Sequence, residues 1–259
     1  MNFLKNENGF KFFYISFNPE RTLFFWFSTS HYHSSKKDFD PDLEKAEFFS
    51  FLATKGVKIE SSVELKQIHG NRVVVVKDDL CYKEDSGELE NGDALITNLE
   101  SKPLVIKVAD CLSVQLHDPV SGSIANIHCG WRSGAQNILA LTIEKMAAVF
   151  NSHPLDIRAS LMPSISSSNY QVGEDVYSAY TNSFKGMDRF FQPDGNGTWR
   201  FSLRGAAVKL LCDSGIAVKN ITDLNLCTFE EKDLFYSYRR DGKATGRMFA
   251  VITKMQAEH

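Results

Sequence analysis

What this chain has little of narrows its class before any motif is read. In 259 residues it carries only seven prolines, scattered too widely to mark a linker, and no internal repeat or low-complexity block divides it. Those absences speak against a modular or repeat architecture. No apolar run reaches the roughly 20 residues that a membrane-spanning helix needs. The N-terminal aromatic run Phe10–Phe17 is interrupted by Lys11 and reads as a strand. That region also lacks the apolar core and small-residue cleavage site of a secretory signal. The five cysteines, Cys81, Cys111, Cys129, Cys212 and Cys227, are odd in number and show no framework spacing, which fits a reducing cytoplasm better than a disulfide scaffold. A formal net charge of −3, with both signs mixed along the chain, leaves neither a nucleic-acid footprint nor a polybasic membrane patch. An anionic substrate would have to be met by local arginines. The composition, 43% hydrophobic and 24% charged, is that of a globular protein with length enough for a sizeable core.

Histidine is scarce too, with seven in the chain, yet two of them sit in dense motifs beside a third motif built on cysteine. The motifs are Lys66-Gln67-Ile68-His69-Gly70, Val108-Ala109-Asp110-Cys111 and Asn126-Ile127-His128-Cys129-Gly130-Trp131-Arg132. Two imidazoles and a thiolate supply three corners of a tetrahedron, and a catalytic zinc keeps the fourth open. Convergence of two of the three follows from a hairpin. Residues 111–116 and 123–128 alternate apolar with small or polar side chains around the turn Asp118-Pro119-Val120-Ser121-Gly122. With the turn centred near Pro119 and Val120, Cys111 faces His128, whereas a slip of one would turn His128 to the other face. Cys129, the neighbour of His128, then points into the core.

Elsewhere the pattern mixes strands and helices. Residues 103–108 read as a buried strand leading into Cys111, and Val73 to Val76 as a strand after a turn at His69-Gly70-Asn71. Residues 157–161 and 216–223 read as further strands. A capped amphipathic helix follows Asp38-Phe39-Asp40-Pro41, and residues 83–88 form a charged, exposed loop. A strong helix opens at Ser133 with Ile138, Leu141, Met146 and Val149 near one apolar face. Its start follows Trp131-Arg132, where free amides and an arginine could hold an anion. Residues 174–184 and 204–213 continue the helical set. Hairpins together with crossover helices define a layered α+β fold.

The ordered motifs resemble the laccase-domain, or YfiH-like, family, also called multicopper polyphenol oxidase proteins, whose members are described as purine nucleoside phosphorylases with accompanying deaminase activity. The resemblance rests on Gln67-Ile68-His69-Gly70, Gly92-Asp93-Ala94-Leu95-Ile96-Thr97, Ala109-Asp110-Cys111 and His128-Cys129-Gly130-Trp131-Arg132. It extends to Tyr170-Gln171-Val172-Gly173 and to Tyr236-Ser237-Tyr238-Arg239-Arg240-Asp241 through Gly246-Arg247, so that it spans residues 62–252 in the family's order. It implies one domain over residues 1–259, an α/β/β/α sandwich with mixed sheets. It also implies a zinc site at His69, Cys111 and His128, with Cu2+ the less favoured metal, in a monomer or homodimer that acts on a purine nucleoside and phosphate. Adenosine, inosine and methylthioadenosine are the implied nucleosides. The chain departs from the family at three places: no Thr-Arg and glycine-rich stretch lies within Ser28 to Lys37, Met162-Pro163 stands for Gly-Pro, and Ser133 closes the usual Trp-Arg-Gly.

Around the ligands, Arg132 is a phosphate-gripping candidate, and Gln67, Arg239 and Arg240 are substrate-binding candidates by their motifs. Arg240 has an ordinary salt bridge to Asp241 as its alternative. Asp93 reads either as a proton acceptor or ribose partner, or as a turn-forming aspartate, and Asp110 as a carboxylate that orients a ligating histidine. His31 and His33 could mimic a ligand pair but fit a solvated loop better. Three other readings stay open: a metal-free cysteine hydrolase using Cys111 and His128, a copper-dependent polyphenol oxidase, and a non-catalytic partner-binding protein. His69 separates the first of these from a metal enzyme, because a Cys-His dyad has no use for it.

Overall fold

Three strands from the start of the chain, the last strand and one strand from the middle join in one sheet, and the remaining central strands make another. The computed structural model describes residues 2–7, 10–17, 22–28, 41–77 and 89–255, with side chains from Lys45 onward. The sequence expectations for His31, His33, Cys81 and residues 83–88 lie outside these, as does all but the first residue of the segment from Ser28 to Lys37. The chain opens with β1 (Asn2–Glu7), β2 (Phe10–Phe17) and β3 (Thr22–Ser28), followed by α1 (Pro41–Thr54), which carries its proline at the first helical position. The centre runs through β4 (Val73–Val75), β5 (Ala94–Thr97), β6 (Leu104–Val108), β7 (Leu112–His117) and β8 (Ile124–Cys129) to α2 (Trp131–Ala135) and α3 (Ile138–Phe150). Then come β9 (Arg158–Leu161), β10 (Gln171–Val172), α4 (Glu174–Ser183), β11 (Phe191–Pro193), β12 (Trp199–Phe201) and α5 (Leu203–Asp213). The chain closes with β13 (Ile221–Asp223), α6 (Tyr238–Asp241) and β14 (Met248–Lys254).

One sheet has the order β1-β2-β3-β14-β6 and the other β13-β9-β7-β8-β5-β4, with a small β10-β12-β11 sheet beside them. Side-chain alternation sorts the layers. Leu104, Ile106 and Val108 of β6 and Met248, Ala250 and Ile252 of β14 face inward, where they meet Val74, Leu95 and Ile124 of the six-stranded sheet. The alternate residues Val105, Phe249 and Val251 pack outward on Phe48, Phe51 and Leu52 of α1. On the far side, Leu112, Val114, Ala125, Ile127 and Cys129 pack against α3, α4 and α5. Helix, sheet, sheet, helix is therefore the layer order, a mixed α+β sandwich as the sequence implied. Asn126 ties the two sheets together, since its amide donates to the carbonyls of Leu104 and Ala250 at 2.8 Å each.

Three local expectations change. The helix expected from Ser133 begins at Trp131 as the short α2, breaks where Asn137 takes a left-handed conformation (φ 61°), and restarts as α3. Restarting shifts the buried face to Ile138, Leu139, Thr142, Ile143 and Met146, so Leu141 is half-buried and Val149 exposed. The strand expected over 216–223 is strand only in β13, because residues 218–220 wind into a 3₁₀ turn. In the β7–β8 hairpin, Ser113 faces His128 and Leu112 faces Cys129, a shift of two residues from the expected pairing of Cys111 with His128. The cause is the turn. Asp118 closes it by accepting from the Val120 amide and the Ser121 hydroxyl, and its own amide donates to Ser123, which moves the centre one residue along. An even shift preserves the face, so Cys111 and His128 stay on the same side.

Candidate metal centre

The inward faces of β8 and of the residue before β7 place His128 and Cys111 at the open end of the layer between the sheets. His69 comes from the loop before β4, in a left-handed conformation (φ 57°) that is uncommon for a non-glycine residue. Asp93, just ahead of β5, holds that loop. Its carboxylate accepts the amides of Ile68 (3.2 Å), His69 (2.9 Å) and Gly70 (2.7 Å), and it pairs with Nδ1 of His128 at 2.7 Å. One buried carboxylate thus sets the position of two of the three ligands. The result is that one ligand atom each from His69, Cys111 and His128 lies within 4.8 Å of the others, with the two imidazole rings edge to face at 4.7 Å.

Gly130 completes the fit. A Cβ there would stand 3.1 Å from the Cys111 sulfur and 3.1 Å from Cδ2 of His69, inside the space that the three donors enclose. With Asp93 engaging Nδ1 of His128, its Nε2 is left for ligation, the tautomer-setting arrangement common around metal sites. The donor set, the clearance at Gly130 and the carboxylate support together suit a borderline-soft metal ion.

Electrostatics prepare the donors. Burial opposes ionisation of the Cys111 thiol, but His128, then His69, outweigh it and bring the thiol down to about 6. Burial likewise opposes a charged His128, while the Cys111 thiolate and the Asp93 carboxylate raise it to about 9. The metal-free site is therefore a thiolate–imidazolium pair. Its thiolate contribution to stability is lost as pH falls through about 6, and its imidazolium contribution as pH rises through about 9. In chelator-treated protein, alkylation of Cys111 should be half-maximal near pH 6, against roughly 8.5 for an ordinary thiol. A midpoint close to the ordinary one would contradict the pairing. Cys129, on the opposite face, is pushed up to about 12 by burial, then by Cys111, and stays a core thiol.

The three donors open onto a cavity of about 1100 Å³. Six cationic side chains line it in a chain whose net charge is −3: Lys45 and Lys107, which are both paired with Glu64, and Lys66, Arg132, Arg239 and Arg247. Asp110 is the acidic residue in the lining, and its oxygens are taken by Thr228 Oγ1 (2.6 Å), Ser237 Oγ (3.0 Å) and the Arg239 amide (2.6 Å). Such a cavity favours an anion.

The structure distributes the sequence candidates unevenly. Arg132 and Arg239 both line the cavity; the Arg132 guanidinium lies 4.2 Å over the Trp131 ring, and Arg239 donates to the Gln171 carbonyl. Gln67 lines it too, but its amide is paired with both backbone groups of Lys107, which fastens the His69 loop to β6. Arg240 is not brought there: its guanidinium donates to the carbonyls of Thr228, Phe229 and Phe235 and to Asp241. Arg240→Ala should accordingly cost about 2–4 kcal/mol of stability through the stranded carbonyls, measured as a lower Tm. An unchanged Tm would show those bonds to be dispensable. Asp93 holds the turn of residues 68–70, the second of its two expected parts, and also takes the histidine contact expected of Asp110. Asp93 is fully buried, pairs with His128 and is absent from the cavity lining, while Asp110 bonds no histidine and instead caps the turn of Arg239. Ser133 is buried and away from the cavity lining, so that departure from the family pattern does not reach the cavity. Sequence reasoning left Gly130 and Tyr170 without a part although both stood in its motifs, and it passed over the lining lysines Lys45, Lys66 and Lys107.

Fold and site together define a layered α+β protein with an open two-histidine, one-cysteine centre in a cationic cavity. The chain belongs to the multi-copper polyphenol oxidoreductase laccase family, whose model matches residues 36–255. Among its relatives, a purine nucleoside phosphorylase of Haemophilus influenzae is 34% identical over 195 residues, 74% of each chain. One from Clostridium acetobutylicum is 36% identical over 191 residues, 73% of this chain and 75% of that one. An adenosine deaminase from an unknown prokaryotic organism is 31% identical over 202 residues, 76% of each. The crystal structure of the hypothetical protein YfiH of Bacillus licheniformis shares the fold with a TM-score of 0.85 at 24% identity, covering 96% of this chain and all of that one. YlmD of Geobacillus stearothermophilus does so with a TM-score of 0.86 at 20% identity, covering 99% and 100%. No helix among the described residues is long and apolar enough to cross a membrane.

Proposed function

We propose that the chain is a zinc-dependent purine nucleoside phosphorylase, acting on adenosine, inosine and methylthioadenosine, with adenosine deaminase activity. One observation carries the reading: three donors converge on the wall of a cavity that also presents Arg132, Arg239 and Arg247. The names of the relatives agree with both reactions.

In phosphorolysis, phosphate attacks the anomeric carbon of the ribose as the purine departs, so the protein's task is to hold the anion in line and neutralise its charge. Arg132, stacked on Trp131, and Arg239, whose amide is held by Asp110 and whose guanidinium donates to the Gln171 carbonyl, would take that task. His69, Cys111 and His128 would hold the zinc ion, which supplies the Lewis acidity that purine deamination requires. Asp93 keeps His128 in the ligating tautomer throughout.

A Cys111–His128 dyad has hydrolase chemistry, but it leaves His69, held against the other two by the Asp93 loop, without a part. Copper-dependent oxygen reduction needs several coppers, and His69, Cys111 and His128 are the one three-donor group among the described residues. Arg132→Ala tests the anion site. Phosphate-dependent inosine cleavage should fall more than tenfold, that is, more than about 1.4 kcal/mol, with zinc still bound. Unchanged phosphate saturation would remove Arg132 from the site.

A further inference from the structure

One side chain lining the same cavity as Arg132 and Arg239 has no assigned part. Tyr170 follows a single 3₁₀ turn over residues 167–169, and its carbonyl accepts the Phe201 amide, which fixes the backbone against β12. Its ring packs at 6.0 Å on Phe201 on the core side and carries the Arg239 guanidinium at 5.3 Å. That guanidinium is held in turn by the Gln171 carbonyl, the next peptide along. The ring is thus clamped and lines the cavity, while its hydroxyl has no hydrogen-bond partner among the described residues. Two cations, Arg239 and Arg132, act on that hydroxyl together with Cys111 and Asp110. A half-buried phenol that carries the Arg239 guanidinium on its ring, shares the cavity lining with Arg132 and Cys111 and lacks a protein partner has a free donor where an anion would bind.

We propose that Tyr170 donates a hydrogen bond from its phenolic hydroxyl to the phosphate held by Arg132 and Arg239, as the neutral third member of the anion subsite. The inference rests on the phosphorylase reading. Burial, reinforced by Cys111, pushes the phenol well above its ordinary range, so it remains a donor at every working pH. A neutral donor suits this position. It binds a phosphate oxygen without adding a third charge. The phenol is also pre-oriented, since Phe201 and Arg239 hold the ring whether or not substrate is present, which lowers the ordering cost on binding.

Tyr170→Phe deletes the hydroxyl and keeps the ring contacts. In initial-rate kinetics of inosine cleavage by the zinc-loaded protein, KM for inorganic phosphate should rise about tenfold while KM for inosine changes by less than about twofold. Titration calorimetry with inorganic phosphate should show a matching loss of affinity, with zinc content and Tm held. A purely structural tyrosine would raise both KM values together or lower Tm, and either result overturns the proposal. So does an unchanged phosphate KM in an active protein, which leaves the phosphorylase reading standing. Wild-type protein that neither binds phosphate nor cleaves inosine overturns both.

Discussion

Cys111→Ala is expected to leave a folded protein that holds no stoichiometric zinc and cleaves inosine at least about a thousandfold more slowly than the parent. The fold should survive because Cys111 is half-buried and lies just before β7, so its truncation opens no sealed cavity. The site should not survive. Removing the thiolate leaves His128 buried with only Asp93 as partner, and two imidazoles make a poor metal site. The same loss in His69→Ala would set the metal reading apart from a Cys-His dyad, which does not need that side chain. Inductively coupled plasma analysis and hypoxanthine detection on each variant are the readouts, and full turnover by metal-free Cys111→Ala would defeat the account.

Asp93→Ala is the second large effect, and it arises from a residue that need not touch substrate. Four contacts end on that carboxylate: the amides of Ile68, His69 and Gly70, and the ring of His128. Burial works against its ionisation, yet His128 and the Gly70 and Ile68 amides outweigh it and hold the carboxyl below its ordinary range. Truncation should therefore cost about 2–4 kcal/mol in stability and release His69 from its left-handed turn. Zinc affinity should fall by roughly 10–100-fold, as it does when an outer partner of a ligating histidine is lost. Asp93→Asn separates the two effects: it keeps shape but presents an N–H where an acceptor is needed. Its Tm should stay closer to the parent's, with zinc affinity still reduced. Competition titration against a chelator checks this, and a parental zinc affinity in both variants would show Asp93 to be a turn residue alone.

The contrast between Cys111 and Asp93 shows what could be read from the chain. Cys111 and His128 are neighbours in a local hairpin, so alternation alone put them on one face, and even a misplaced turn at Asp118 moved them by a whole period. Asp93 faces His128 through the pairing of β5 with β8, strands separated in sequence by β6 and β7. No local pattern reports such a pairing. The α2–α3 break was missed for a different reason: a left-handed Asn137 interrupts the helix, and asparagine there carries no break signal as strong as glycine or proline. Arg240 shows the limit of motif reading. Side by side in sequence, Arg239 faces the cavity and Arg240 spends its guanidinium on three carbonyls, a difference decided by the loop around Thr228 and Phe235. The layered α+β class, by contrast, was legible, because hairpin alternation and helical periods stand side by side in the chain, whereas the sandwich order came with the resemblance and β14, packed on both faces, was not read at all.

The central claim is that His69, Cys111 and His128 hold a zinc ion in a cavity built for phosphorolysis. It is tested most directly on one preparation of the unaltered protein, by metal analysis together with phosphate-dependent release of hypoxanthine from inosine. The account predicts one zinc per chain and release that saturates with phosphate, disappears on chelation and returns with added zinc. Full phosphate-dependent turnover by the metal-free protein would contradict it, as would stoichiometric zinc with no nucleoside turnover at all.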